Sequence, residues 1–393
     1  MKKQLLRLFA FIPFLLAVGF AAKVFLDQYQ KTPAPDPQPI VSSPTGSATI
    51  QVALLLDISG SMDGLIEQAK TQLWQIVNEL GEAKYQSEVP SLEIALYVYG
   101  GDHLDPSEGY VQQLTPLTTD LDLISEKLFE LSTNGGEEYC GKAIEKALLE
   151  LNWSQRSHDL RMIFIAGNEP FSQGPVLYRQ ACEQAGIRDV VVNTIFCGDF
   201  QEGIETQWKD GADLGKGQYM NIDHNQELAI LETPFDAEIV DLNSQLNSTY
   251  IAYGTRGAAL KQNQIQQDQN ARSYGLSNLT TRSVSKSKKV YTNQHWDLVD
   301  AAKNKKFELE EVQGSELLGD SLAQLSKKEL SSLIEEKSQQ RELLQVKILE
   351  LDQQRKAFIK AQRSNETKEE GLDQALIKAI RKQAEKKAYQ FEK

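Results

Sequence analysis

The sequence encodes an α/β protein: a doubly wound, mainly parallel sheet with helices on both faces, followed by a helical C-terminal region. Between residues 48 and 233, short apolar runs alternate with amphipathic stretches of about ten residues or more, the rhythm of strand–helix–strand units. The runs lack the period-two pattern of half-exposed strands, as expected where both faces of a sheet are covered. With 393 residues, 40% of them hydrophobic, the chain has enough material for one sizeable core and a second region.

Ile50–Leu56 is the first strand, and Leu65–Leu80 follows with apolar residues at helical spacing. Leu92–Tyr99 is the next strand, closed by Gly100-Gly101, and Tyr110–Leu114 is a short edge strand. Leu121–Leu131 and Gly141–Leu151 are amphipathic helices. Met162–Ala166 is a buried strand, followed by a helix over Val176–Ala185, a strand over Asp189–Phe196, a helix over Gly203–Leu214 and a last strand at Gln218–Ile222. Pro234–Thr255 keeps a helical pattern, whereas 256–290 is rich in Gln, Asn, Ser and Lys and reads as flexible. Trp296, Leu298 and Val299 begin another short helix. From 320 to 393 the pattern is helical and partly heptad-like, with Leu330, Leu344, Leu351 and Phe358 in seven-residue register and Lys337 interrupting. That register suits either self-association or packing on the chain itself.

The N-terminus has the features of an export signal. Lys2, Lys3 and Arg7 precede an unbroken apolar run from Leu8 to Ala22. Residues 1–26 are thus a signal peptide, cut near Ala21, or a membrane anchor, since Leu8–Leu26 is about the ~20 residues that cross a bilayer. Residues 27–47 form a proline-rich linker. Both alternatives place the rest outside the cytoplasm: periplasmic, secreted, or tethered to the membrane through the N-terminal segment.

Charge narrows the partners. The net charge is −13, from 42 basic and 55 acidic residues, and the stretch 48–319 alone carries −19. Such a surface favours cations and basic partners and repels phosphate backbones, so no nucleic acid is expected. Mean hydropathy of −0.42 excludes a polytopic membrane protein. Three cysteines exclude a disulfide-stapled miniature, and four scattered histidines without a His-Glu-x-x-His motif argue against a zinc enzyme. No Gly-rich phosphate loop or nucleophile–base arrangement is present, so an enzyme is not expected.

In open parallel sheets ligands gather at the carboxyl ends of the strands, which puts weight on the residues after each apolar run. Asp57-Ile58-Ser59-Gly60-Ser61 follows the first strand, and alternate residues of an extended turn project together, so Asp57, Ser59 and Ser61 converge. Carboxylate and hydroxyl oxygens suit magnesium, calcium or manganese better than zinc.

The run LLLDISGSM resembles the first-strand loop of the von Willebrand factor type A domain and its metal-ion-dependent adhesion site (MIDAS). The resemblance continues through NGGEEYCGKAIEKAL, MIFIAGNEPF and VNTIFCGDFQEGIETQWKDGADLGKGQYMNID, covering 48–233. It implies a doubly wound sheet and a divalent ion on Asp57, Ser59 and Ser61, bound directly or through water. Two positions depart from the family pattern. Glu137 follows Gly135-Gly136 where a Thr is usual, with Glu138 adjacent, and Ala166-Gly167-Asn168 replaces Thr-Asp-Gly. Glu137 and Glu169 are then the compensating acids of the ligand set. Cys140 and Cys197 both fall at the top edge of the sheet, and in an oxidising compartment would pair and lock the glutamate loop over the site. The expected function is an exported binding module whose magnesium-type site recognises a partner protein through that partner's acidic side chain. The alternative is a metal-free envelope scaffold assembled through its C-terminal helices.

Overall fold

The computed structural model describes residues 48–222, 231–312, 317–363 and 372–391. The signal, anchor and linker assignments for 1–47 lie outside these. Six strands form the main sheet: β1 (Thr49–Asp57), β3 (Ser91–Tyr99), β4 (Val111–Thr118), β5 (Leu160–Gly167), β6 (Val191–Cys197) and β7 (Lys216–Ile222), in the order β4-β3-β1-β5-β6-β7. All neighbours are parallel except β4, which runs antiparallel along the edge of β3. The order reverses at β1, the doubly wound arrangement anticipated above.

β1 is buried along its whole length, which accounts for its lack of a polar face. Its even-numbered residues, such as Val52 and Leu54, pack beneath α1 (Asp63–Leu80) and α2 (Leu121–Phe129). Ala53 and Leu55 point the other way, toward α3 (Cys140–Glu150), α4 (Tyr178–Ile187) and the short α5 (Phe200–Glu205) and α6 (Trp208–Leu214). The helix expected over Gly203–Leu214 is therefore two, broken at Gln207, which takes φ 74°. Such a conformation disfavours any residue with a Cβ and ends the first helix.

The segment expected to be flexible is helical and buried. α7 (Asp236–Asn247), α8 (Gly257–Ser273) and α9 (Leu276–Lys286) pack together beside α1 and α2. Their interior is polar: Gln264, Arg282, Ser283 and Lys286 are all solvent-excluded. Asp268 is the hub, accepting from Arg282 Nε at 2.7 Å, Asn243 Nδ2 at 2.8 Å, Asn247 Nδ2 at 2.7 Å and Lys286 Nζ at 2.9 Å. Arg282 also pairs with Asp122 of α2 at 2.9 Å and lies over the Trp74 ring of α1, 4.5 Å from its centre. A polar composition signals disorder only when its groups have no internal partners. Here most of them are paired, with Asp268 at the centre.

Three short helices, α10 (Leu298–Ala301), α11 (Leu309–Val312) and α12 (Asp320–Ala323), lead to α13 (Lys327–Arg363), and α14 (Leu372–Lys386) follows. The heptad-like residues of α13 are used within the chain. Leu330 packs with Ile251 and Leu298, while Leu344, Ile348 and Leu351 join the core beneath the sheet. Arg341 fixes the register through Asp297 at 2.6 Å, Asp300 at 2.9 Å and the Thr249 carbonyl at 2.8 Å. α14 lies beside β7 and α1, and β8 (Gln390–Phe391) closes a two-stranded ladder with β2 (Ala83–Lys84). The sheet and the described C-terminal helices form one compact unit. Among the described residues no helix is long and apolar enough to cross a membrane.

Burial alone would raise the Asp268 carboxyl, but Lys286 and Arg282 outweigh it and hold it well below the usual range. Its stabilising charge is then complete above the unfolded value of about 3.9 and is lost as pH falls below that. Asp268→Asn, which takes the carboxylate from buried Lys286 and leaves Arg282 with Asp122 alone, is expected to lose about 3–5 kcal/mol at pH 7 by urea denaturation. The gap to wild type should narrow as pH falls below about 4.

Candidate functional site

The site lies at the carboxyl end of β1, where the loops after β1, β3, β5 and the α2–α3 connection meet. Ile58 N–H donates to the Tyr99 carbonyl at 2.8 Å and so continues the β1–β3 ladder past Asp57. The Asn134 N–H donates to the Ile58 carbonyl at 2.9 Å, which draws the α2–α3 loop over the first. Asn134 Oδ1 also accepts from the Asp102 N–H at 3.1 Å, tying in the loop after β3.

Two glycines allow this convergence. Gly100 has φ +82°, and a Cβ there would stand 2.7 Å from Asp57 Oδ1 and 2.8 Å from Glu138 Cγ. A Cβ on Gly136 would lie 2.2 Å from the Gly100 carbonyl oxygen. The turn at 100 needs a residue free to take positive φ, and the crossing at 136 needs one without a side chain.

Asp57 has no solvent exposure. Its Oδ1 accepts the Ser59 N–H at 2.7 Å, while Oδ2 is buried with no partner. Ser59 Oγ and Ser61 Oγ are 3.1 Å apart, and Ser61 donates to Asn168 Oδ1 at 3.1 Å. The spacing argument for Asp57, Ser59 and Ser61 thus describes one real cluster. Gly167 stands where the resemblance would put an aspartate, and the next residue, Asn168, closes the cluster with a neutral oxygen.

The second acid is not the expected one. Glu137 is exposed and its side chain turns to Gln173 Nε2, 3.4 Å away. Glu138 is buried against Asp57, with Oε2 unpartnered. The sequence held a signal for this: Glu138 and the fully buried Cys140 are two residues apart and face inward together, while Glu137 and Tyr139 face away. Glu169 is exposed at the rim, its backbone carbonyl taken by Trp208 Nε1 at 2.8 Å. Its charge reaches Asp57 and Glu138, but its carboxylate is not brought between them. Among the described residues no three His, Cys, Asp or Glu side chains come close enough to hold a metal ion.

Burial raises the Asp57 carboxyl above the usual range, against the pull of the Ser59 hydrogen bonds. Burial and then the neighbouring Asp57 charge raise Glu138 as well. Two carboxyls in one desolvated place cannot both ionise cheaply, so the pair holds a proton unless a cation replaces it. Two buried orphan oxygens beside two serine hydroxyls form a hard donor set that fits magnesium, calcium or manganese.

The expected disulfide is absent: Cys140, Cys182 and Cys197 are free and buried. Cys140 packs on the α3 face of the sheet and Cys197 on the α1 face, so the sheet itself separates them. Cys140 Sγ instead lies 3.6 Å from the Tyr99 hydroxyl, which donates to the Ala166 carbonyl at 2.9 Å.

The strand order, the first-strand loop and the helices on both faces define a divergent von Willebrand factor type A fold. No protein-family model and no curated protein matches the sequence. Among solved structures, the chain is similar to a conserved hypothetical protein, BatB, from Bacteroides thetaiotaomicron, at 18% identity and TM-score 0.34, over 44% of this chain and 90% of that one. An aerotolerance-related membrane protein from Bacteroides fragilis matches at 18% identity and TM-score 0.32, over 44% and 92%. Proximal thread matrix protein 1 from the mussel byssus, solved with a zinc-occupied MIDAS motif, matches at 13% identity and TM-score 0.32, over 46% and 43%.

If all three thiols are free, thiol titration of the denatured protein without reductant should count three per chain. A count of one would restore a disulfide.

Proposed function

We propose that this chain is a non-enzymatic binding module, working outside the cytoplasm, in which Asp57, Ser59, Ser61 and Glu138 hold a divalent cation of the magnesium type at a protein-recognition surface. The observation that carries this reading is the pair of buried, unpartnered oxygens, Asp57 Oδ2 and Glu138 Oε2, beside two hydroxyls. Other buried polar atoms lack a hydrogen bond among the described residues, Asp122 Oδ1 and Arg282 Nη1 for example, but those lie against opposite charge, whereas these two oxygens belong to adjacent carboxyls with no cation beside them. An ion there would supply the positive charge that two adjacent carboxylates lack, and an open position for a group from the partner. The extracytoplasmic placement is supported by the basic and apolar N-terminal segment, and tethering to a membrane follows if that segment is retained.

Within this reading Glu138 replaces Glu137 as the second carboxylate, and Glu169 belongs to the surrounding surface. The metal-free scaffold has one feature in its favour, the Ser59–Ser61–Asn168 chain of hydrogen bonds, which stands without an ion. Its proposed means of assembly has less support, because Leu330, Leu344 and Leu351 of the heptad register are packed within the chain, leaving Leu343 and Val346 as the large exposed apolar side chains of α13.

Calorimetric titration with magnesium and manganese separates the two. The wild type should bind in or below the range of about 10⁻⁴–10⁻³ M typical of extracellular oxygen-ligand sites. Asp57→Ala and Glu138→Ala should abolish the heat, while Glu137→Ala should leave it within about threefold, a change worth less than 1 kcal/mol. No heat from the wild type would leave the scaffold reading.

A further inference from the structure

The loops that surround the site carry an unbalanced charge that bears on its partner. Residues 57–62, 100–110, 131–139, 167–177 and 198–202 contain nine Asp or Glu and no Lys or Arg. Seven of the nine are exposed; Glu108 pairs with Lys146, and for the other six, Asp102, Asp105, Glu137, Glu169, Asp199 and Glu202, no ion pair within 4.0 Å is found among the described residues. The cations at the nearby helix starts are already engaged. Lys142 pairs with Glu145 at 2.9 Å, Lys146 with Glu108 at 2.5 Å, and Arg179 with Asp210 at 2.9 Å.

An acidic rim alone signifies only solubility. This one surrounds the Asp57–Glu138 pair, both more than nine-tenths buried and each with an unpartnered oxygen. A divalent ion on that pair would balance those two carboxylates and leave the rim as negative as before. A lone acidic side chain approaching the site would therefore meet repulsion from every side. At physiological salt the screening length is about 8 Å, too long to hide one rim carboxylate from a group bound among them.

We propose that the partner segment received by this face is rich in lysine and arginine, so that any carboxylate it offers to the site arrives flanked by cations. This rests on the reading above that these loops form the recognition surface. The four strand ends of β3, β1, β5 and β6 span about 15 Å at the usual interstrand spacing. An extended segment of about five residues covers that distance. Phe200 adds a contact suited to such a segment. It is 50% exposed beside Asp199, and an exposed ring next to carboxylates attracts a guanidinium or ammonium group.

The test uses the full chain and fluorescein-labelled octalysine, followed by fluorescence anisotropy at physiological salt, in EDTA and again with manganese. Octaglutamate serves as the opposite probe. The triple variant Asp102→Asn, Glu169→Gln, Glu202→Gln removes three rim charges and leaves Asp57, Ser59, Ser61 and Glu138 intact. A second triple, Glu336→Gln, Glu342→Gln, Glu350→Gln, removes the same charge from the exposed side of α13. Octalysine binding should weaken by about tenfold or more in the rim variant and by less than about threefold in the α13 variant, since screening confines the effect to nearby charges. Equal weakening in both triples, or octaglutamate binding as tightly as octalysine, overturns the proposal. The rim variant should keep the calorimetric magnesium signal. If the wild type gives no such signal yet octalysine discriminates between the triples, the metal reading fails and the basic partner stands. The reverse pattern keeps the metal and removes the basic partner.

Discussion

The structure depends on a carboxylate carried to the end of a strand that no solvent reaches. β1 is flanked by β3 and β5 in the plane of the sheet and by helices above and below, so Asp57 arrives already desolvated. Removing an ionised group from water is expensive, and the hydrogen bonds from Ser59 offset only part of it. The loops around it are shaped by that demand. Two glycines let them cross above the acid, two serines and an asparagine supply neutral oxygens, and Glu138 closes the remaining side. The second acid sharpens the problem, because like charges in one desolvated place must share a proton or admit a cation.

The helical region solves a comparable problem with the opposite result. Asp268, Asp122, Arg282 and Lys286 are buried as Asp57 is, yet each carboxylate there meets a cation in hydrogen-bonding or ion-pairing contact. The network joins α8 and α9 to α1 and α2 and makes the C-terminal helices part of one unit with the sheet. Buried ion pairs of this kind add little net stability compared with a hydrophobic replacement, but they penalise a misregistered packing heavily. The helical cluster brings a cation to each of its carboxylates, whereas among the described residues the pair at the top of the sheet meets none. That contrast is the physical basis for treating only the second as a place where something binds.

Much of the sheet was legible from residue order. The apolar runs, their spacing and the turn signals located all six strands of the main sheet; β1, β3, β5 and β6 stand out because a strand covered on both faces leaves a nearly unbroken hydrophobic run, and the edge strands β4 and β7 follow from position and turn signals. The Asp57–Ser59–Ser61 cluster was legible for a related reason, since alternate residues of an extended turn must point together. Residue order does not choose between Glu137 and Glu138, because adjacent residues face opposite ways and only the path of the loop decides which one turns inward. The 256–290 segment was misread because composition counts polar groups without revealing that they satisfy one another. The Cys140–Cys197 pairing failed because nearness to the same sheet edge says nothing about which face each thiol occupies.

By itself the amino-acid order determined the alternation of strands and helices, the residues that end the first strand and the acidity of the loops, all of which are properties of neighbours along the chain. The tertiary structure alone decided which carboxylate faces Asp57, which thiols lie apart and which polar side chains find partners inside. Those outcomes depend on groups far apart in sequence being pressed to the same point, where burial makes every unpaired charge count.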